Sequence, residues 1–230
     1  MTSPNLAICI ATYKRTEVAL KTIKSTCENL CYPKENRGWY IADDGSPQDH
    51  MASIMELLEK NNERIIGFHS ARIRNEGEED THNAGIGWNK GLGICHQFSD
   101  YVLWLEDDWN LDETLDITRH MRILSDREDV GAITYRILSS GADVHTVGCN
   151  GEMFLQYMES TQYAYSGNPY IRHARFTKAY GWFAEDRNPG NIELHMDDQY
   201  RLNTGPWIWR PAGISVWGAW KHIGTEKSWQ

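Results

Sequence analysis

No apolar run in this 230-residue sequence approaches the ~20 residues that a membrane-crossing helix needs. Nor does the opening Met1-Thr2-Ser3-Pro4-Asn5 offer the basic and then apolar stretch of a secretion signal, so the expected compartment is the cytoplasm. Cysteine is scarce. Its five residues, an odd number without metal-like spacing, argue against a zinc cluster or disulfide scaffold and for reduced thiols. Positive charge is short as well: 23 Lys and Arg face 32 Asp and Glu, a net of −9, which disfavours a surface built for nucleic-acid phosphates. Repeats and low-complexity segments are also missing. What is present, 40% hydrophobic and 24% charged residues, is the balance of a globular chain long enough to bury a substantial core.

That core is organised around Tyr101-Val102-Leu103-Trp104-Leu105-Glu106-Asp107-Asp108-Trp109. A short apolar run bounded by a polar cluster reads as a buried strand. Adjacent acids at its end repel one another and lose hydration, so something must compensate them. A hard divalent cation, bound through oxygens and bridging substrate phosphates, would do so. Upstream, Leu6–Ala11, Trp39–Ala42 and Arg64–Phe68 read as further strands. Val18, Thr22, Ile23, Thr26 and Leu30 recur at helical spacing after the first, and Met51, Ile54, Met55 and Leu58 after the second. Thr16 is placed to cap the first of these helices, and Ser46 the second, with Pro47 at its first position. Alternating strands and helices predict a parallel α/β sheet. Ligands of such sheets bind beyond the carboxyl ends of the strands, where Thr12–Arg15, Asp43–Ser46 and Glu106–Asp108 all fall. Between Asn83 and Gly93 glycines crowd a helical stretch at about 1 kcal/mol each relative to alanine, which implies close approach by a backbone or ligand, or loose packing. After Asp112 the pattern predicts a helix bearing Ile117, Met121 and Leu124, strands at 130–135, 144–147 and 152–157, and a helix over 191–202.

Four segments, in order, resemble the motifs of family 2-like glycosyltransferases with the GT-A fold. Ala7–Arg15 is similar to their opening strand and loop, and Ile41–Ser46 to their second-strand acidic motif. Asn83 to Gly91 resembles their Asn/Gly segment, and Leu103–Asp108 their metal-binding motif. The resemblance spans residues 6–108 and loosens after about 112. It implies an α/β GT-A fold: a Rossmann-like nucleotide-sugar-binding half with a mainly parallel sheet over 1–112, continuous with a smaller mixed acceptor half over 113–230. Thr12, Tyr13 and Arg15 would line the donor nucleotide, and Asp43 or Asp44 would bond its base, often uracil. Asn83, Asn89 and Lys90 would belong to the same donor side. Glu106 and Asp108 would hold Mn²⁺ or Mg²⁺ on the donor diphosphate, although Glu-Asp-Asp stands where Asp-x-Asp is commoner. Met196–Leu202 resembles the segment carrying the general base of inverting members, which points to Asp197 or Asp198, with Glu193 behind them. His222 resembles a C-terminal metal or diphosphate ligand. The implied activity is metal-dependent, inverting transfer of a hexose or N-acetylhexosamine from a nucleotide sugar, UDP-linked first of all, to an acceptor hydroxyl.

Arg172, Arg175 and Lys178, with Trp182 close by, precede the Asp pair and suit a stacked sugar or an anionic or nucleobase acceptor. A hydroxylated DNA base, presented on a single strand or extruded from a duplex, is one candidate that the overall acidity opposes. Saccharide, lipid-linked and protein acceptors are the others. A sugar nucleotidyltransferase would open with a Gly-rich loop, whereas Ala11–Arg15 has no glycine. A non-catalytic binding module would need neither the acidic triplet nor Asp197 and Asp198.

Overall fold

A computed structural model describes residues 4–71, 84–135, 141–212 and 219–224. The chain runs β1 (Leu6–Thr12), α1 (Thr16–Asn29), β2 (Leu30–Cys31), β3 (Arg37–Asp43), α2 (Gln48–Lys60), β4 (Ile65–Ser70), α3 (Ala84–Phe98) and β5 (Tyr101–Glu106). Next come β6 (Trp109–Leu111), β7 (Leu115–Asp116), α4 (Thr118–Asp126), β8 (Val130–Thr134), β9 (Val144–Cys149) and β10 (Glu152–Tyr157). Last are β11 (Tyr170–His173), α5 (Ala174–Tyr180), α6 (Pro189–Leu202), β12 (Trp207–Pro211) and β13 (Trp220–His222). One nine-stranded sheet takes the order β4-β3-β1-β5-β11-β8-β12-β10-β9. Its first four strands are parallel, as the alternation of apolar runs and helices requires. β11 then enters antiparallel between β5 and β8, so the two halves share a single sheet.

The two faces of β1 differ in size. Leu6, Ile8 and Ile10 join the core beneath α1 and α2, while Ala7, Cys9 and Ala11 face α3. Small residues there let α3 sit close. A Cβ on Gly91 would lie 2.9 Å from the Tyr40 ring and 3.0 Å from Cys9 Sγ. One on Gly85 would overlap the carbonyl oxygen of Ala184. The glycines therefore serve close approach by a ring and a backbone, at about 1 kcal/mol of helix propensity each.

Two expected caps are corrected. Arg15, not Thr16, holds the N-cap position of α1, and no side chain caps it. Pro47 holds the same position on α2, which starts at Gln48. The hydroxyls are engaged elsewhere: Thr16 Oγ1 bonds His50 Nδ1 at 2.9 Å, and Ser46 Oγ accepts from Lys14 N at 2.7 Å. Cross-loop bonds have displaced the local ones. Among the described residues no helix is long and apolar enough to cross a membrane.

Candidate active site at the carboxyl ends of the strands

β1, β3 and β5 end side by side, and the loops that follow them bond to one another. Asp44 N donates to the Thr12 carbonyl at 3.1 Å, and Lys14 takes a left-handed φ of 60°. That turn brings the Arg15 guanidinium onto Asp107 Oδ1 and, at 2.9 Å, onto Asp108 Oδ2. Three stretches far apart in sequence thus form one rim.

The three acids have separate partners. Asp107 is buried, and its Oδ2 accepts from Thr12 Oγ1 at 2.9 Å and from Tyr13 N at 3.0 Å. Desolvation lifts its pKa to about 6, against the pull of Arg15 and of these bonds. Asp108 turns toward the segment that carries β13. β13 pairs antiparallel with β6, Ile223 N donates to the Asp108 carbonyl at 2.8 Å, and His222 Nε2 stands 3.1 Å from Asp108 Oδ2. A Cβ on Gly224 would lie 2.6 Å from that oxygen, so glycine lets the segment close. Among the described residues Asp108 Oδ1, which is buried, has no hydrogen-bond partner. Glu106 faces the other half of the chain, across Gly167 from Glu193. A Cβ on Gly167 would overlap Glu106 Oε1 and lie 2.7 Å from Glu193 Oε1. Desolvation first, then Glu193, Asp108 and Asp107, push the Glu106 pKa well above the usual carboxylate range.

Among the described residues no three His, Cys, Asp or Glu side chains stand ready to hold a metal ion. The donor set still fits a hard cation, because a buried carboxylate oxygen left without a partner is costly and a cation would satisfy it. His222 and Glu106 are the neighbouring ligands on offer. Arg15 supplies the compensating charge that the sequence assigned to a cation.

α6 opens properly, with Asn188 Oδ1 accepting from Asn191 N at 2.9 Å and Pro189 in its first turn. Its Asp197 is buried and accepts from Tyr163 N at 2.9 Å and Tyr165 N at 3.1 Å. Burial raises its pKa, and those backbone donors oppose the rise. Asp198 is exposed. Glu193, one helical turn before Asp197, accepts from Gly167 N. The α6 carboxylate brought to the acidic motif is therefore Glu193, rather than either member of the Asp pair.

Of the four residues expected on the acceptor side, Arg172 and Arg175 are committed inside the fold. Arg172 is fully buried on β11, bonded to Thr177 Oγ1 and lying 5.5 Å and 5.7 Å from the ring centres of Phe176 and Phe183. Arg175 donates to the carbonyls of Leu124, Arg127 and Val130 at 2.7, 2.8 and 2.9 Å, closing the end of α4. Lys178 is exposed and Trp182 half-exposed. Asn89 clamps α3 to the 183–185 segment, accepting from Phe183 N and donating to Phe183 O, both at 2.9 Å. Lys90 is exposed, and Asn83 lies outside the described residues. Asp43 closes its own turn, accepting from Gly45 N, Ser46 N and the Ser46 and Ser70 hydroxyls. Asp44, His69, Ala84, Gly87 and Trp88 line a small cleft beside it. His50, Gly167 and Gly224 carry no sequence signal for the site, since contacts across more than thirty positions put them there.

A parallel nucleotide-binding half continued by a mixed extension, with acids ending the central strand, is the GT-A architecture. The chain belongs to glycosyl transferase family 2, whose model matches residues 7–180. Among solved structures it is similar to S. aureus TarS, at 12% identity and a TM-score of 0.66 over 97% of this chain and 37% of that one. TarS 1–349 in complex with UDP-GlcNAc gives 13% identity and a TM-score of 0.66 over 97% of this chain and 59% of that one. Mannosyltransferase PcManGT from Pyrobaculum calidifontis, in complex with GDP-Man and Mn²⁺, gives 14% and 0.62 over 93% and 56%. These likenesses are of fold, and the chain spans between 37% and 59% of those proteins' lengths. No curated protein sequence matches it.

Proposed function

We propose that this chain catalyses metal-dependent, inverting transfer of a sugar from a nucleoside diphosphate sugar to an acceptor hydroxyl. The observation that carries the reading is the buried Asp108 oxygen that has no partner among the described residues, beside His222 at the end of β5. Asp108, His222 and Glu106 would hold Mn²⁺ or Mg²⁺, which supplies positive charge against a departing diphosphate. Arg15 lies beside them with charge of the same sign. TarS with UDP-GlcNAc and PcManGT with GDP-Man and Mn²⁺ support a nucleotide-sugar donor. Asp44, at a small cleft with His69 and Trp88, would bond the base, and the proposed donor is a UDP-linked hexose or N-acetylhexosamine.

In the reaction the acceptor oxygen bonds to the anomeric carbon, the nucleoside diphosphate leaves from the opposite face, and Glu193 takes the acceptor's proton. Glu193, which accepts from the backbone donor Gly167 N, is preferred as base because it adjoins Glu106, whereas Asp197 is held by Tyr163 N and Tyr165 N and Asp198 faces solvent. With Arg172 and Arg175 committed inside the fold, a saccharide hydroxyl stacked on Trp182 is favoured over a phosphate-bearing acceptor such as a modified DNA base. The test is incubation with Mn²⁺, labelled nucleotide sugars and saccharide pools. Wild type should release nucleoside diphosphate and label a saccharide. Asp108→Asn should lose Mn²⁺-dependent nucleotide binding in calorimetry. Glu193→Gln should bind the donor and lose about 10²–10⁴-fold in kcat. Full binding by the first variant, or full transfer by the second, overturns the assignment.

A further inference from the structure

We infer that His50 is a positioning residue that sets the donor loop after β1 through a one-directional chain of hydrogen bonds. The inference rests on the donor reading above. His50 sits in the first turn of α2 with its side chain buried. Its Nε2 lies 2.8 Å from Thr12 Oγ1 and its Nδ1 2.9 Å from Thr16 Oγ1. Thr12 Oγ1 is also 2.9 Å from Asp107 Oδ2.

The proton positions follow by elimination. The named partners of the Asp107 carboxylate, Tyr13 N, Arg15 and Thr12, make it an acceptor. Thr12 has one hydroxyl proton and gives it to Asp107, so its oxygen must accept from His50 Nε2–H. Burial keeps the ring neutral, pushing its pKa down, although Asp43 and Asp49 pull the other way. A neutral ring protonated at Nε2 leaves Nδ1 as an acceptor, and the Thr16 hydroxyl fills it. The chain therefore runs Thr16 to His50 to Thr12 to Asp107.

One imidazole thus pins both ends of the segment between Thr12 and Thr16. That segment contains Lys14 in its left-handed conformation, which a non-glycine residue holds only when its surroundings enforce it. It also carries Tyr13 and Arg15, and so determines where the guanidinium meets Asp107 and Asp108. Without His50 the loop should relax toward conformations in which Arg15 is no longer presented to the donor.

Amide side chains can imitate each end of the ring separately. In His50→Gln the amide nitrogen reaches the place of Nε2 and keeps the bond to Thr12. In His50→Asn the amide oxygen takes the place of Nδ1 and keeps only the bond to Thr16. His50→Leu keeps bulk and loses both. The measurements are UDP affinity with Mn²⁺ by calorimetry, donor KM and kcat, and native-state hydrogen exchange of the Tyr13 and Lys14 amides without ligand. His50→Leu and His50→Asn should bind UDP about tenfold more weakly, the worth of one to two hydrogen bonds, with kcat at saturating donor little changed. His50→Gln should restore affinity and amide protection. Unchanged amide protection in His50→Leu, or equal impairment of His50→Gln and His50→Leu, overturns the inference. If His50→Leu does not fold, His50→Asn, which lacks the bond to Thr12, takes its place; wild-type protection and affinity in that variant have the same force. Failure of wild type to bind UDP or GDP with Mn²⁺ would instead overturn the donor reading, and the exchange data would still decide the role of His50.

Discussion

Gly167→Ala strikes the contact on which the catalytic assignment rests. An added Cβ would overlap Glu106 Oε1 and sit 2.8 Å from Glu106 Cδ and 2.7 Å from Glu193 Oε1. Gly167 is not among the glycines with positive φ, so the backbone tolerates alanine and the whole effect arises at the two carboxylates. One or both must retreat by up to about 1 Å, and a displacement of that size at reacting groups costs on the order of 100-fold in rate. Both groups are the far ends of flexible side chains, so the stability loss should stay near 1 kcal/mol. The assay is kcat for sugar transfer beside thermal unfolding, with Gly93→Ala as control because its Cβ would meet nothing within 4 Å. A Gly167→Ala enzyme with wild-type kcat would refute the claim that Glu106 and Glu193 act as a facing pair.

On α3, Gly85→Ala and Gly93→Ala gain the same ~1 kcal/mol of helix propensity, yet only the first drives a Cβ into the Ala184 carbonyl. Gly93→Ala should raise the melting temperature and Gly85→Ala lower it; a rise in both would show that the 183–185 segment is not held against the helix. His120 is buried with Nδ1 2.8 Å from the Tyr135 hydroxyl, and burial lowers its pKa from 6.5 to about 4. The unfolded chain therefore takes up a proton that the folded one resists, and His120's contribution falls as pH drops from 6.5 toward 4. Its slope approaches 1.4 kcal/mol per unit. Replacement by asparagine should flatten that part of the melting profile, and an unchanged profile counts against the burial argument.

What could be read from the sequence was set by the range of the interactions involved. β1, β3, β4 and β5 are runs of local hydrophobicity, and the parallel order that follows places Thr12, Asp43 and Glu106 on one edge. β11 was not legible. It has four residues, one of them the buried Arg172, and what stabilises a guanidinium there is a set of rings and hydroxyls contributed by α5 and the 183 loop. The same holds for the carboxylates of α6. Glu193 and Asp197 lie one turn apart on α6, and no local pattern says which of them reaches β5 and which ties down the Tyr163–Tyr165 backbone. The caps failed for a related reason, since Thr16 and Ser46 meet the local rule but are claimed by partners thirty or so residues away.

Three consecutive acids ordinarily repel, and here the fold separates them by assignment. Asp107 is buried behind β1, where backbone and hydroxyl donors fix it and Arg15 neutralises it. Its ionised form is thereby part of the scaffold. Glu106 alternates to the opposite side and meets Glu193, where the proximity of two carboxylates raises the cost of charging both. Asp108 remains, held at one oxygen by Arg15 and His222 and left at the other with no partner among the described residues. Arg15 offsets part of the cluster's charge, so a cation held at Asp108 as proposed above would enter a place in which positive charge is partly supplied. An anion brought in with that cation would give Arg15 a further partner beyond Asp107 and Asp108. On the proposed function, the rim would therefore favour joint arrival of metal and diphosphate over the metal alone, through a residue set by the β1 loop rather than through the acids themselves.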